Sequence, residues 1–541
     1  MPAQLTYPGV YIEEVPSGVR TIVGVATSIT AFVGRTRWGP VADATDILSA
    51  SQFARVFGGR WPASPLTQAV DDFFQNGGSH AVVVRLVHDD AETAALSVGG
   101  LDLVAASPGS WGADLRAAVD HADVDPALAA SLGLASKDEL FNLTVTHAVP
   151  GGAVERYANL SVKDNRRNVA ATLKEKSDLV RVAEGWGGAN PPDPTDGKDA
   201  LGTVEDQLGE AKKAYRNGTG NKAAVTAKET ELRTAVDTAR AAAKDGSPLA
   251  LADFTDDTAA VEHKGLFALD GADTVNLLCI PPHEADGDIE LGLVAAASTY
   301  CEKRRALFLV DPRTSWTDPS DGMAWIDEVD GAKANAAVYF PRLKRPDGES
   351  VPCGAVAGVM ARTDAARGVW KAPAGLDAVL RNVPDLAVRL NDDENGLLNP
   401  VGVNCLRSMP PAGRVVWGAR TAVGADVLAS DWKYVPVRRL ALFLEESLFR
   451  GTKWVVFEPN DEPLWSQIRL SAGSFMHQLF RQGAFQGRSP REAYFVKCDG
   501  ETTTQADRDL GVVNVNVGFA PLKPAEFVVI RLQQMAGQVE T

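Results

Sequence analysis

The sequence predicts a multidomain protein of mixed α/β (α+β) class, and three observations carry that prediction. Short apolar runs at 79–87, 274–280, 305–310 and 336–340 alternate with helical stretches at 46–57, 66–76, 285–303 and 355–363, the rhythm of a sheet covered on both faces. At 541 residues the chain exceeds what one hydrophobic core organises. Both ends of the sequence read as bare strands outside any globular pattern, so sheet edges are being offered for pairing.

Taken in order, Tyr7-Pro-Gly-Val-Tyr-Ile-Glu-Glu-Val15 reads as a strand-like arm, set off by Pro16-Ser-Gly18. Residues 21–33 mix β-branched with small side chains, which predicts a buried strand. A helix over 46–57 starts at 49–52 and stops at Gly58-Gly59; a second over 66–76 stops at Gly77-Gly78. The composition changes from about 101. Ser107-Pro-Gly-Ser-Trp-Gly112 is a turn cluster, 140–147 an alternating strand and 186–199 a loop rich in Gly, Pro and Asp. Residues 199–245, rich in Ala, Lys and Glu, read as a helical hairpin around Arg216-Asn-Gly-Thr-Gly-Asn221. Compact order resumes at 265. The predicted domains are an arm over 1–20, a middle α/β domain from 21–100 and 265–390, an outer domain inserted at 101–264, and a C-terminal α/β domain over 391–541.

The C-terminal domain carries the densest signals. A helix over 438–450 places Leu440, Phe443, Leu444, Ser447 and Leu448 on one face and stops at Gly451. A strand is expected at 453–457. Asn460-Asp461 caps and Pro463 starts a helix to about Gln482, with Leu464, Ile468, Ala472, Phe475 and Leu479 inward. Strands follow at 492–498 and 512–519. A last strand at 526–532 puts Val528, Ile530 and Leu532 on one face and Phe527, Val529 and Arg531 on the other. Only Arg531 and the flanking Pro524 blunt that edge.

Charge and composition narrow the function classes. The net charge is −16, with 45% apolar and 23% charged residues, and no Lys/Arg cluster overrides that field, which argues against direct contact with nucleic acid. Residues 431–541 hold 13 Lys or Arg and 13 Asp or Glu, so the remainder carries the whole negative balance. Five isolated cysteines and no leader-like N-terminus fit folding in a reducing cytoplasm. The longest membrane candidate, 21–34, is too short to span, so no membrane insertion is expected. The seven histidines are scattered, and no phosphate loop, nucleophile elbow or dinucleotide fingerprint occurs. No catalytic, metal-binding or cofactor-binding residues are therefore assigned. Asp392-Asp-Glu394 reads as a solvated turn rather than a cation site.

The segment from Arg438-Arg-Leu-Ala-Leu-Phe-Leu-Glu-Glu-Ser through Lys453-Trp-Val-Val-Phe-Glu-Pro-Asn-Asp-Glu-Pro-Leu-Trp465, with the helix and strands after it, resembles the sheath proteins of contractile tails and contractile injection systems. Tyr7-Pro-Gly-Val-Tyr11, Ala31-Phe-Val-Gly-Arg-Thr-Arg-Trp-Gly-Pro40 and Gly368-Val-Trp-Lys-Ala-Pro-Ala374 support the resemblance; residues 100–265 show none. It implies a structural, non-enzymatic subunit polymerised as stacked hexameric rings around an inner tube, contracting to drive the tube through a target envelope. Implied partners are further copies of the chain, the tube protein, and baseplate and terminal cap proteins. It implies assembly in a bacterial cytoplasm as part of a phage tail or of a phage-tail-like particle of the kind that is retained or released. It also implies strands exchanged between subunits, carried by Tyr7, Val10, Tyr11, Ile12 and Val15 at one end and Phe527, Val528, Val529, Ile530 and Leu532 at the other. The stripe Arg469, Gly473, His477 and Arg481, spaced by four, stacks on one helix face that by itself reads as solvated; the resemblance implies instead a basic surface turned toward the tube. A rival reading stays open, a cytosolic α/β enzyme whose terminal strands pair within one subunit.

Overall fold

Six parallel strands form the spine of the molecule because their residues are apolar toward both faces. They are β1 (Thr30–Gly34), β3 (Ala81–Arg85), β4 (Leu277–Cys279), β5 (Leu307–Val310), β6 (Ala336–Phe340) and β7 (Val403–Met409); the antiparallel β2 (Thr45–Ile47) and β8 (Gly413–Val416) close the edges. The computed structural model describes residues 20–531, except 196–198, 257, 285, 329 and 330. The strand order is β8-β7-β6-β5-β4-β1-β3-β2. Side chains alternate between two cores. Ala31 and Val33 of β1 face one, with helix α3 (Leu291–Arg304); Phe32 faces the other, with helices α1 (Ala50–Phe57), α2 (Pro65–Asn76) and α4 (Cys353–Arg367). α4 lies hard against α2 because it carries glycine where they cross: a methyl at Gly354 would strike the Ala69 carbonyl, and one at Gly358 the Phe73 carbonyl.

Between β3 and β4 the chain builds a separate unit with its own core around Trp111, Phe141, Leu143 and Leu173. One three-stranded sheet joins Ala95–Val98, Leu101–Ala105 and Val180–Val182; another joins Leu115–Asp120, Phe141–His147 and Val154–Leu160. The helices Ala200–Arg216 and Lys222–Ala242 pair beside it, and the second buries no side chain. On it the hydroxyls of Thr230, Thr234 and Thr238 donate to the carbonyls of Thr226, Thr230 and Thr234, one turn back.

The C-terminal unit consists of helices α5 (Val435–Gly451) and α6 (Glu462–Arg481) and the hairpin β9 (Tyr494–Lys497) with β10 (Asn516–Phe519). Leu440, Leu444, Phe475, Met476 and Leu479 form its core, which also receives Ile22. α5 is bolted to the central unit by Arg439, which pairs with Asp364 at 2.6 Å and donates to the Thr27 carbonyl at 2.8 Å.

Several sequence expectations are corrected. Of 21–33 only Thr30–Gly34 is strand; Ile22 packs on the C-terminal unit and Val25 donates to the Ser447 hydroxyl, so that stretch crosses α5 before entering the sheet. The helix expected at 46–57 begins at Ala50, where Ser49 accepts the Gln52 N–H, and 45–47 is edge strand instead. The expected strand at 453–457 is a 3-10 turn, Lys453–Val455, followed by exposed chain. Asp392-Asp-Glu394 opens a helix, Asp392–Leu398, because Asn391 and Glu394 cap each other's backbone N–H groups. β7 and β8 belong to the central sheet, so the C-terminal unit starts near Val435 rather than at 391. The inserted unit likewise starts at Ala95 rather than 101, and Phe254, placed within it, packs in the central core.

Candidate assembly interface

The C-terminal hairpin is a sheet left unfinished. A two-stranded ladder is marginal alone; among the described residues both its edges are open, and it holds because one face rests on α6. Tyr494, Val496, Val517 and Phe519 pack toward Phe475, Leu479 and Phe485, while Phe495 on the other face is exposed.

From β10 the chain runs through Leu522 to an exit segment whose root is fixed. Arg420, fully buried, donates from Nε and Nη2 to the two Glu526 oxygens at 2.8 and 2.5 Å, and from Nη1 to Asp426 at 2.9 Å and to the Asn399 and Gly424 carbonyls. Burial alone would lower the Arg420 pKa, but the Glu526 hydrogen bonds and charge outweigh it and hold it above the usual value. The Tyr434 hydroxyl reaches Glu526 at 3.4 Å. Beyond this clasp, Phe527, Val528, Val529 and Ile530 are each more than 70% exposed and pair with no strand among the described residues. Four consecutive exposed apolar residues mark a surface meant to be covered. Residues 1–19, and with them Tyr7, Val10, Tyr11, Ile12 and Val15, lie outside the described residues, as does Leu532.

On α6 the predicted stripe divides. Arg469 donates to the Glu462 carboxylate at 2.5 Å and to the Cys498 carbonyl, so its charge is engaged within the subunit. His477 and Arg481 are exposed, and the space beyond Gly473 is open. The 3-10 turn ends in Val456 and a fully exposed Phe457 whose φ of 71° lies in the left-handed region, rare for a bulky residue. The pairing of Arg420 with Glu526, and of Arg469 with Cys498, joins residues far apart in sequence, so no local pattern announced either.

A groove of about 710 Å³ lies against the exit segment, bordered by Trp370, Trp417, Lys371, Gln482, Leu522 and Phe527. At the other end of the central sheet the strand order reverses between β1 and β4, the place where such sheets commonly take ligands. There His283, just past β4, stacks on Phe254 at 5.1 Å, and burial lowers its pKa to about 4, so a neutral imidazole serves as packing. Among the described residues no His/Cys/Asp/Glu group is arranged to hold a metal, and no helix is long and apolar enough to cross a membrane.

Residues 316–422 match the family model described as the phage tail sheath protein central domain, and residues 429–535 that of the phage tail sheath C-terminal domain. The tail sheath protein of Vibrio phage KVP40 is 24% identical over 220 residues, 39% of this chain and 31% of that protein. The tail sheath protein of Enterobacteria phage T4 is 29% identical over 176 residues, 32% of this chain and 25% of that protein. The matches thus span about a quarter to a third of those relatives. Among solved structures, the PVC sheath complex of an extracellular contractile injection system in the contracted state is 20% identical with a TM-score of 0.56, covering 98% of each chain. A sheath tail protein from Listeria innocua is 13% identical with a TM-score of 0.60, covering 94% of each. These structural likenesses show that the mixed α+β multidomain fold is shared.

Proposed function

We propose that this chain, which belongs to the contractile tail sheath protein family, is a structural subunit that polymerises as stacked hexameric rings around an inner tube and contracts to drive the tube outward. The single observation that carries the reading is the open-edged β9–β10 hairpin beside an anchored, exposed apolar exit segment. Each is incomplete alone, and each supplies what the other lacks. Phe527 to Ile530 of one subunit, continued by Leu532, and the arm with Tyr7, Val10, Tyr11, Ile12 and Val15 of another add strands to the hairpin of a neighbour. Main-chain hydrogen bonds carry the link; the Arg420–Glu526 clasp fixes where each strand leaves its own subunit.

Contraction is then a cooperative passage from an extended lattice to a compact one, with strand links kept while the bodies rotate. The energy is stored in subunit packing at assembly, so neither an enzymatic step nor a cofactor is required. The inserted unit decorates the outside, and His477 and Arg481, with a lesser part for Arg469, face the tube. Many weak charge contacts repeated over a lattice template it and still release it. The partners are other copies, a tube protein, and baseplate and cap proteins. Assembly takes place in the bacterial cytoplasm, within a phage tail or phage-tail-like particle.

Electron microscopy of the chain coexpressed with a tube protein tests this. Ridged cylinders from the unaltered chain, and soluble monomers of unchanged stability from Val528→Asp with Ile530→Asp, are the expected pair of outcomes. Monomers from the unaltered chain would reject the proposal, and cylinders from the double variant would reject the strand link.

A further inference from the structure

The loop before α6 and the groove after it are opposite in charge, and both carry exposed or half-buried aromatic surface. The loop presents Val456 largely and Phe457 fully to solvent, followed by exposed Glu458, Asp461 and Glu462. It is rigid rather than loose. Asn460 donates to the Val512 carbonyl at 2.9 Å and accepts from the buried Trp465 indole at 2.9 Å, and Glu458 N–H closes a turn on the Val455 carbonyl. An aromatic ring held outside the fold by a pinned loop, on a backbone conformation that bulky residues avoid, points to a contact made elsewhere. Among the described residues Glu458 forms no ion pair.

The groove has the opposite character. Trp370 and Trp417, both half-buried, supply aromatic walls, and Arg367, Lys371 and Lys523 line it with positive charge. Among the described residues the Lys371 ammonium donates to the adjacent Ala372 carbonyl alone, and burial pulls its pKa below the usual value, so an incoming carboxylate would restore solvation it has lost. Among the described residues neither Arg367 nor Lys523 forms an ion pair.

The two features cannot meet within one chain. The loop adjoins Glu462, the first residue of α6, whereas Gln482 and Gly483, just past its last residue, line the groove. A 20-residue helix separates them by ~30 Å. A self-complementary pair of different surfaces on one chain makes a head-to-tail contact, the kind that generates rings and helices.

We propose that the loop centred on Phe457 and Glu458 docks in the Trp370/Trp417 groove of a second copy of this chain, its ring between the aromatic walls and its carboxylate on Lys371 or Arg367. This deepens the sheath reading above, and rests on it for the presence of a polymer. α6 thereby becomes the rod that spaces successive contacts, and the groove's place beside the exit segment makes the contact continuous with the strand link.

Cysteine cross-linking in the full chain tests it. All five native cysteines are buried, so residues introduced by Val456→Cys, which leaves the Phe457 ring in place, and by Ala374→Cys, in separate chains that are mixed and assembled, are the accessible thiols. The expected result is a mixed disulfide dimer exceeding either single variant alone by about tenfold under mild oxidation, because docking raises the effective concentration. Cylinders that form without this cross-link overturn the contact and leave the sheath reading standing. The cross-link without cylinders supports the contact and counts against the sheath reading. Neither product rejects both. A charge exchange is the second measurement. Glu458→Lys should weaken assembly, and Lys371→Glu in the same chain should restore it; assembly indifferent to both overturns the docking.

Discussion

The central sheet and the C-terminal hairpin are built from similar residues and finish differently. In the central sheet every strand of the spine has neighbours on both sides, and the edges fall on β2 and β8, strands of three and four residues. Short antiparallel edges give a foreign strand little to pair with. Among the described residues the hairpin β9–β10 has no such guard strands, and the exit segment beyond it exposes four apolar side chains in a row. If neighbours complete the hairpin as proposed, substitutions in the first region should read out as stability and in the second as assembly.

The sharpest way to break the first region is at the α2–α4 crossing. A methyl at Gly354 has nowhere to go, because the obstacle is the Ala69 main chain rather than a movable side chain. Gly354→Ala is therefore expected to lower the unfolding free energy of the subunit by about 3 kcal/mol or more, measured by urea denaturation. An unchanged midpoint would mean that the helices do not approach this closely.

A smaller effect is expected where the two regions meet. Glu526→Ala removes both carboxylate bonds from Arg420 but leaves the guanidinium its contacts with Asp426 and two carbonyls. The expected loss is about 2 kcal/mol, typical of hydrogen bonds to a buried charge. Hydrogen exchange should show faster labelling confined to residues near 522–531. Labelling that instead spreads through the central sheet would mean the clasp supports the body rather than the root of the arm.

How much of this could be read from the sequence differs between the regions for the same reason. Strands buried on both faces announce themselves as short apolar runs, as Val82-Val-Val84 and Leu307-Phe-Leu-Val310 do, and glycine stops at 58 and 77 mark the helix ends. Misreadings arose where apolar residues serve packing other than a sheet. Residues 21–27 look β-like but lie across α5, and Trp454-Val-Val-Phe457 looks like a strand although Trp454 and Val455 turn inward while Val456 and Phe457 turn out. At 392–394 a run of acids beside Asn391 and Asn395-Gly396 reads as a solvated turn, and only the reciprocal Asn391–Glu394 cap makes it a helix start. The helix stripe of Arg469, His477 and Arg481 was legible from its spacing. That Arg469 is already held by Glu462 and Cys498 was not, since folding brings the Cys498 carbonyl from 29 positions away. The exit segment 526–531 joins no ladder among the described residues, so only its apolar alternation in the sequence marks it as a candidate strand.

The smallest expected effect lies deep in the first region and carries a pH signature. Asp311 follows β5 and caps the first turn of α4, accepting the Cys353 N–H at 2.9 Å through one oxygen, while the other oxygen is buried without a partner. Burial raises its pKa from 3.8 to about 6, against the opposing pull of Cys353 and Arg342. A folded-state pKa above the unfolded one means that the fold prefers the protonated acid. The stabilisation is fully present below about pH 3.8 and is lost as pH rises through about 6. Asp311→Asn keeps an oxygen for the Cys353 N–H and abolishes the charge, though it adds an amide donor in the same dry place. The variant is expected to be more stable than the unaltered chain by about 1 kcal/mol at pH 7.5, less than a shift of this size alone would give, since the new donor offsets part of it. That gain should shrink between pH 6 and pH 4 and be gone at pH 4, followed by urea midpoints across the series. A gain independent of pH would place its origin in packing, and a loss at pH 7.5 would show that Asp311 is ionised and well solvated in the fold.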